Sequence, residues 1–454
     1  MPNPLQYRWM IAPAFALALL GCMGCNEKAK SKPVGGLDDL MAEQSSAEVE
    51  APVDHETLRR PPADPRAALE AALASGEIVH DGDDNRFLAQ VLEVCGVPVA
   101  SQVLVFSKTS QQNRLITPSN PRAIYFSDDC YVGFVPGGLI ELSDTDPDEG
   151  TGFYAFHPRS YDTDRPLDVP VSCLNCHASS RTNHAPGLLV RSVYPDADGF
   201  PIGGAGSFVT GHASPLEKRW GGWYVTGEHG TMRHMGNVIA HETEHNAELD
   251  MDSGANRDSL DDLIRTDRYL APGSDIVALM VLEHQVEMHN LLTQGAAAVR
   301  KQTFRSRRIV DSSGDTPFDP YESDTLMSLV NHRAQRIVEH MLFADELVLT
   351  APVRGDRAFL RQFRANRRET DAGHSLKDFE LTTRLFRYRC SYMIYARAFD
   401  LMPELLKEAV YRELFEALTG DDTELNGHLD PAEREAILTI LRATKPDLPA
   451  YWQD

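Results

Sequence analysis

The chain changes texture along its length, and that change sets its fold class. Between Ser101 and Phe156, five short runs are rich in β-branched and aromatic residues: Gln102–Phe106, Ala123–Phe126, Tyr131–Val135, Leu139–Leu142 and Gly152–Phe156. Turn sequences such as Ser127-Asp128-Asp129 and Pro136-Gly137-Gly138 separate them, which predicts a small antiparallel sheet or meander. Two helical segments precede the strands between Pro65 and Cys95, the clearer one at Asn85–Val94. Beyond Ser274 the pattern is helical. Ser274–Leu292 is apolar nearly all round from Ile276 to Leu282, which predicts a buried helix with Ser274 as its N-cap. Further helices are expected over Asp324–Leu347, Ser375–Met402, Pro403–Thr419 with Gly420 as its stop, and Pro431–Arg442. The last has Asp430 as cap and Glu433 at the capping-box position. The expectation is an α+β fold, with a small antiparallel β-rich N-terminal part, a loop-rich middle and a mainly α-helical C-terminal half.

The middle, from about His157 to Glu248, is rich in Gly, His and Trp and lacks sustained periodicity. It contains Cys173-Leu174-Asn175-Cys176-His177, and C-x-x-C-H is the spacing at which haem is attached covalently. Each thiol can bond one vinyl group of the same porphyrin, and the adjacent His177 is placed to coordinate iron from the proximal side. One motif gives one haem c. Zinc is the competing ligand for two cysteines and a histidine, but a closed zinc site needs a fourth donor, and no second cysteine pair supplies one. Trp220, Trp223 and Tyr224 are candidates for an apolar haem wall, with ordinary core packing as the alternative. Gly203-Gly204-Ala205-Gly206 lacks both a Walker lysine and a strand-to-helix setting, so no phosphate site is expected there.

The sixth iron position decides what such a haem does. Methionine or histidine there gives a closed electron carrier, whereas an open position admits peroxide, oxygen or another small ligand. Met235 and His234 are the leading candidates, ahead of His229, Met232, His184 and His212. If the position is open, His284 and Glu283 are weak candidates for moving protons to or from a bound oxygen species. His284 shares a helical stripe with Val277, Val281, Met288 and Leu291, so it should face inward. A rival constellation, His241-Glu242-Thr243-Glu244-His245, matches H-E-x-x-H, in which two histidines one helical turn apart bind zinc and the glutamate is a general base. Glu244 places a charge where such helices are apolar, and no third ligand stands out downstream.

Met1–Gly21 resembles an export signal, with Arg8 in the n-region and a short apolar Met10–Leu20. It ends in Leu19-Leu20-Gly21-Cys22, which resembles a bacterial lipobox and would make Cys22 the lipidated N-terminus, with Cys25 as a second choice. An ordinary cleaved signal giving a soluble periplasmic protein is the alternative. Cytochrome c maturation takes place outside the cytoplasm, so export and the motif agree. The expected organisation is 1–22 signal peptide, 23–65 flexible tether, 66–156 small α/β-rich region, 157–250 haem c segment and 251–454 helical region packing on it. A formal charge of −23 argues against nucleic acid as a partner and leaves redox proteins and a membrane surface, reached through the anchor. Two basic clusters, Arg300-Lys301 with Arg305, Arg307 and Arg308, and Arg361 with Arg364, Arg367 and Arg368, are read as solvated helix ends and loops. Of the 7 cysteines, Cys95 and Cys130 could pair in an oxidising compartment, and Cys390 is expected to be a small buried hydrophobe.

The runs Ser101–Ser110, Pro186–Ser192, Arg219–Gly227, His234–Asn237 and Asp275–His284 resemble a group of uncharacterised bacterial monohaem cytochrome c domain-containing proteins of planctomycete and acidobacterial type. The resemblance covers roughly Asp84 to Trp452. It implies one haem c held by Cys173, Cys176 and His177, with electron transfer as a generic role, and it supplies no substrate.

Overall fold

The computed structural model describes residues 64–146, 150–243, 247–313, 318–420 and 425–453. Cys22, Cys25, the signal sequence, nearly all of the tether and His245 lie outside the described residues. Among the described residues no helix is long and apolar enough to cross a membrane.

The fold is α+β. Helix α1 (Pro65–Ser75) starts where Asp64 accepts from the Ala67 amide and Pro65 stands in the first turn, and it ends at Gly76 in the left-handed region. Helix α2 (Asp84–Cys95) repeats the device with Asp83 and Gly96. The strands follow: β1 (Val103–Val105), β2 (Arg122–Phe126), β3 (Cys130–Phe134), β4 (Ile140–Asp146) and β5 (Gly150–Phe156). They form an antiparallel sheet in the order β5-β4-β3-β2-β1, extended beyond β1 by β8 (Trp223–Tyr224), which comes from the loop-rich middle after the paired β6 (Arg191–Val193) and β7 (Ser207–Val209).

Alternation of side chains makes this sheet the boundary between two cores. Leu104, Ala123, Tyr125, Val132, Phe134 and Tyr224 face α1 and α2, meeting Leu69, Leu73, Phe87 and Val91. Val103, Val105, Phe126, Tyr131 and Trp223 point the other way, into the core of the helical half. The axis of that half is α4 (Ile276–Ser313), buried on all sides from Ile276 to Val286. Against it pack α5 (Asp324–Met341), and then α8 (Glu404–Thr419) and α9 (Pro431–Thr444). Gln285 ties α4 to the sheet by donating to the Ser127 carbonyl (2.8 Å) and the Tyr131 hydroxyl (2.9 Å).

The structure corrects several helix expectations. Asp275 caps α4, accepting from the Ala278 amide at 2.8 Å. Ser274 instead bridges two strands, donating to the Tyr224 carbonyl and accepting from the Leu104 amide. Ser375–Met402 is not a helix. It is built of turns, a 3-10 turn at Tyr392–Tyr395 and the single turn α7 (Arg397–Asp400), and the Glu380 carboxylate accepts the Thr382, Thr383 and Arg384 amides that a helix would otherwise satisfy. Asp430 does cap α9, but Glu433 pairs with Arg389 (2.6 Å) rather than closing the capping box. The second basic cluster contains an unforeseen helix, α6 (Arg357–Arg364), and two of its arginines are paired internally, Arg364 with Asp378 and Arg367 with Glu369.

Candidate functional site

The C-x-x-C-H motif sits on the helical-half side of the sheet. A 3-10 turn at Val171–Cys173 runs into α3 (Leu174–His177), a single turn of helix that puts both thiols and the imidazole on one short segment. Cys173 is half-buried, Cys176 is exposed, and both thiols are free. The His177 ring lies 4.4 Å from the Phe153 ring of β5. Its Nδ1 is 2.8 Å from the Gly187 carbonyl oxygen, so Nδ1 carries the proton and donates, leaving the Nε2 lone pair available. Burial pushes the His177 pKa down, which keeps the ring neutral. A neutral imidazole whose second nitrogen donates to a backbone carbonyl is in the form and orientation that metal ligation requires.

Gly187 is itself held. Its amide donates back to the His177 carbonyl at 2.8 Å, and the next peptide is gripped by Asn290 of α4. One turn on, Gln294 donates to the Thr182 carbonyl and accepts from Asn183. The loop after the motif thus takes its shape from one face of the buried helix.

The surroundings fit a porphyrin in two ways. Val169, Val171 and Leu174 are 56 %, 76 % and 39 % exposed beside the motif, an apolar surface open to water that a flat hydrophobic group would cover. Arg122 and Arg191 flank the motif: the first influences Cys173 and His177 electrostatically, the second Cys176. The buried Nε–H of each finds no partner among the described residues, although Arg122 also pairs with Glu141 and Arg191 also donates to Ser207. Arg122 and Arg191 thus place positive charge beside the motif, of the sign that haem propionates would require.

Of the distal candidates, Met235 and His229 are engaged with other partners, whereas the buried Nε2 of His234 finds none among the described residues. The buried Met235 accepts a hydrogen bond from Ser192 (3.6 Å), whose neighbour Arg191 lies close to Cys176. His234 accepts the Gly236 amide on Nδ1 (3.0 Å), and burial pushes its pKa down to about 3. His229 is fully committed, donating to the Met232 carbonyl and accepting the Asn256 amide. Met232 is buried, and His184 is exposed in a left-handed turn. Trp220 packs against His234 rather than against the motif, and Trp223 and Tyr224 belong to strand β8.

His241 and Glu242 form β9, paired with β10 (Ala247–Glu248), and both are exposed. The H-E-x-x-H reading needs a helix to put its two histidines on one face a turn apart, and its first two residues, His241 and Glu242, are extended. His284 does face inward, as its stripe predicts, and meets His212 and His340. Glu283 is fully buried and ion-paired with Arg219 at 3.0 Å. His340 carried no sequence signal of its own, because its partners are distant in the chain.

The chain matches no family model, no curated protein and no solved structure.

Proposed function

We propose that this chain is an exported c-type cytochrome that binds one covalent haem through Cys173 and Cys176, ligates its iron with His177 and transfers electrons. The observation that carries this reading is the His177 ring, presented neutral with Nδ1 bonded to the Gly187 carbonyl, on a single helical turn shared with two free thiols. The haem would supply one-electron redox chemistry at the iron. The chain's own residues set the conditions: Gly187 fixes the tautomer of His177, Phe153 fixes its ring plane, and Arg122 and Arg191 provide positive charge beside the motif. The lipobox-like Leu19–Cys22 and the following polar stretch support a lipid-anchored protein at the periplasmic face of a bacterial membrane, where it would meet redox partner proteins.

A second reading, a haem oxidoreductase of peroxidase or oxygenase type with an open distal position, is favoured by the engagement of His229 and Met235 with other groups. Pyridine haemochrome analysis of the exported protein tests the common foundation: absence of covalent haem removes both readings. Carbon monoxide then separates them. A reduced spectrum unchanged by the gas supports the closed carrier, and rapid formation of a carbonyl complex supports the open site.

A further inference from the structure

The last third of α4 carries charge of one sign. Met288–Val310 contains no acidic residue in a chain that has 67, and it ends in Arg300, Lys301, Arg305, Arg307 and Arg308. Ser306 is buried and meets Ser323, just before α5, at 3.4 Å, so its side of the helix is the one turned to the body. Lys301, Phe304, Arg305 and Arg308 are spaced i, i+3, i+4 and i+7, which puts them together on the opposite side, and all four are exposed. Phe304 is 62 % exposed, and Ile309 at the margin of this stripe 69 %.

Among the described residues no acid pairs with Lys301, Arg305, Arg307 or Arg308. Arg308 lies over the Phe304 ring and Arg307 over the Phe318 ring. The acids Asp319, Glu322 and Asp324 flank Ser323, on the side of α4 that Ser306 faces, and so leave the outer stripe basic. Exposed cations interleaved with an exposed aromatic and an exposed aliphatic side chain are the composition of a helix that lies on an anionic bilayer. The point at which the chain enters the body bears on the same face. The described residues begin at Asp64, whose carboxylate pairs with Arg397 at 3.7 Å. Arg397 opens α7, and Leu401, immediately after α7, accepts a hydrogen bond from Arg300 at 3.2 Å. The segment that leads from Cys22 therefore joins the body beside the root of the basic stripe, one helical turn before Phe304.

We propose that this face of α4 docks on the anionic phospholipid surface of the membrane that anchors Cys22. Lys301, Arg305 and Arg308 meet the headgroups, and Phe304 and Ile309 enter the boundary with the acyl chains. The inference deepens the anchored reading above and rests on it for the location of the bilayer. The anchor keeps the body at high effective concentration near that surface, so a contact too weak to hold a free protein suffices. Docking fixes which side of the body meets the membrane. The loop after the motif, held by Gln294, then lies roughly 15 Å along α4 from the contact at Phe304.

The test uses the mature chain from Asn26, exported behind a cleavable signal so that it carries no lipid, and co-sedimentation with vesicles. Binding is expected to phosphatidylcholine vesicles that contain phosphatidylglycerol and not to phosphatidylcholine alone, with release at high salt. Each cation near an anionic surface strengthens binding roughly fivefold, so Lys301→Gln/Arg305→Gln/Arg308→Gln should bind about 100-fold more weakly. Its Tm should be unchanged, because all three positions are exposed. Phe304→Ser should also weaken binding. Arg357→Gln/Arg361→Gln, which removes exposed charge from α6, should bind as the native chain does. No preference for the anionic vesicles overturns the proposal, as does an equal loss in the α6 variant. Binding of polyglutamate, as an acidic-peptide probe, without binding of vesicles assigns the face to an acidic protein and overturns it as well. Mass spectrometry of the native N-terminal peptide tests the anchor separately: an unlipidated Cys22 removes the anchored reading and leaves the vesicle result standing.

Discussion

Asn290 grips the Leu188 peptide at both ends, accepting its amide on Oδ1 at 2.8 Å and donating from Nδ2 to its carbonyl at 2.9 Å. The Leu188 amide shares a peptide group with the Gly187 carbonyl that orients His177, so a helix side chain positions the imidazole through that one peptide.

Asn290→Ala should cost about 1–3 kcal/mol, because two buried backbone groups lose their partner. In haem-loaded protein it should also shift the reduction potential, a change that general destabilisation does not require. Gly187→Ala would place a Cβ 2.6 Å from Asn290 Oδ1 and should disturb the same contact. The two substitutions act on one contact, so urea denaturation of the double variant should show a combined loss smaller than the sum of the single losses.

Arg219→Met should destabilise the fold by about 3–5 kcal/mol at neutral pH, because it strands the buried Glu283 carboxylate. Glu283 is already pushed above the usual carboxylate range by burial, with Arg219 opposing that shift. Adding Glu283→Gln to Arg219→Met should restore much of the loss. Chemical denaturation of the single and double variants measures this, and no recovery would show that packing of the arginine stem dominates.

His289 is fully buried, accepts the Tyr131 hydroxyl at 2.7 Å and has its pKa pushed down to about 4 by burial. Its unfolded pKa is about 6.5, so between those values the unfolded chain binds the proton and the folded one does not. Its contribution to stability is present above about pH 6.5 and is lost as pH falls toward 4, at about 1.4 kcal/mol per unit. Asp129 and Asp275, both raised to about 7 by burial, act in the opposite sense, losing stability as pH rises between about 4 and 7. The His289 share is isolated by difference: stability of His289→Gln should depend less on acid across this window than that of the native chain.

Cys95 of α2 and Cys130 of β3 face each other in the core, where their mutual hydrogen bond, followed by burial, pushes the Cys130 thiol well up. In an oxidising compartment, such as the proposed export would provide, they should oxidise to a disulfide, detected as linked peptides by mass spectrometry without reduction. Closing a loop of this length stabilises by roughly 3–4 kcal/mol in the chain-entropy model, so reduction should lower the denaturation midpoint. Two free thiols in material isolated from the periplasm would refute this.

Much of the architecture was legible because its signals are local. The five strands and the two helical segments between Pro65 and Cys95 depend on neighbours within a few residues, and they stand where the sequence places them. Ser274 and Asp275 are both good caps, and the choice between them was made by Leu104 and Tyr224, far away in the chain. Ser375–Met402 misled because Phe386 and Tyr392 are buried, and Phe379 half-buried, by aromatic packing from several directions rather than along one helical face. The same holds for the site. C-x-x-C-H is a local spacing and could be read directly, whereas the Gly187 carbonyl, the Asn290 clamp and the meeting of His212, His284 and His340 exist only after folding.

Strands β5 and β8 belong to one sheet, and everything from His157 to Gly222, the motif included, departs from that sheet at one end and returns to it at the other. The excursion is therefore a closed loop with a rigid base. Within it the motif thiols lie on the partly exposed part, whereas Arg219 and Trp220 near its far end are buried against the helical half, so the freedom left to the segment around Cys173 and Cys176 is limited by ends that are fixed on both sides.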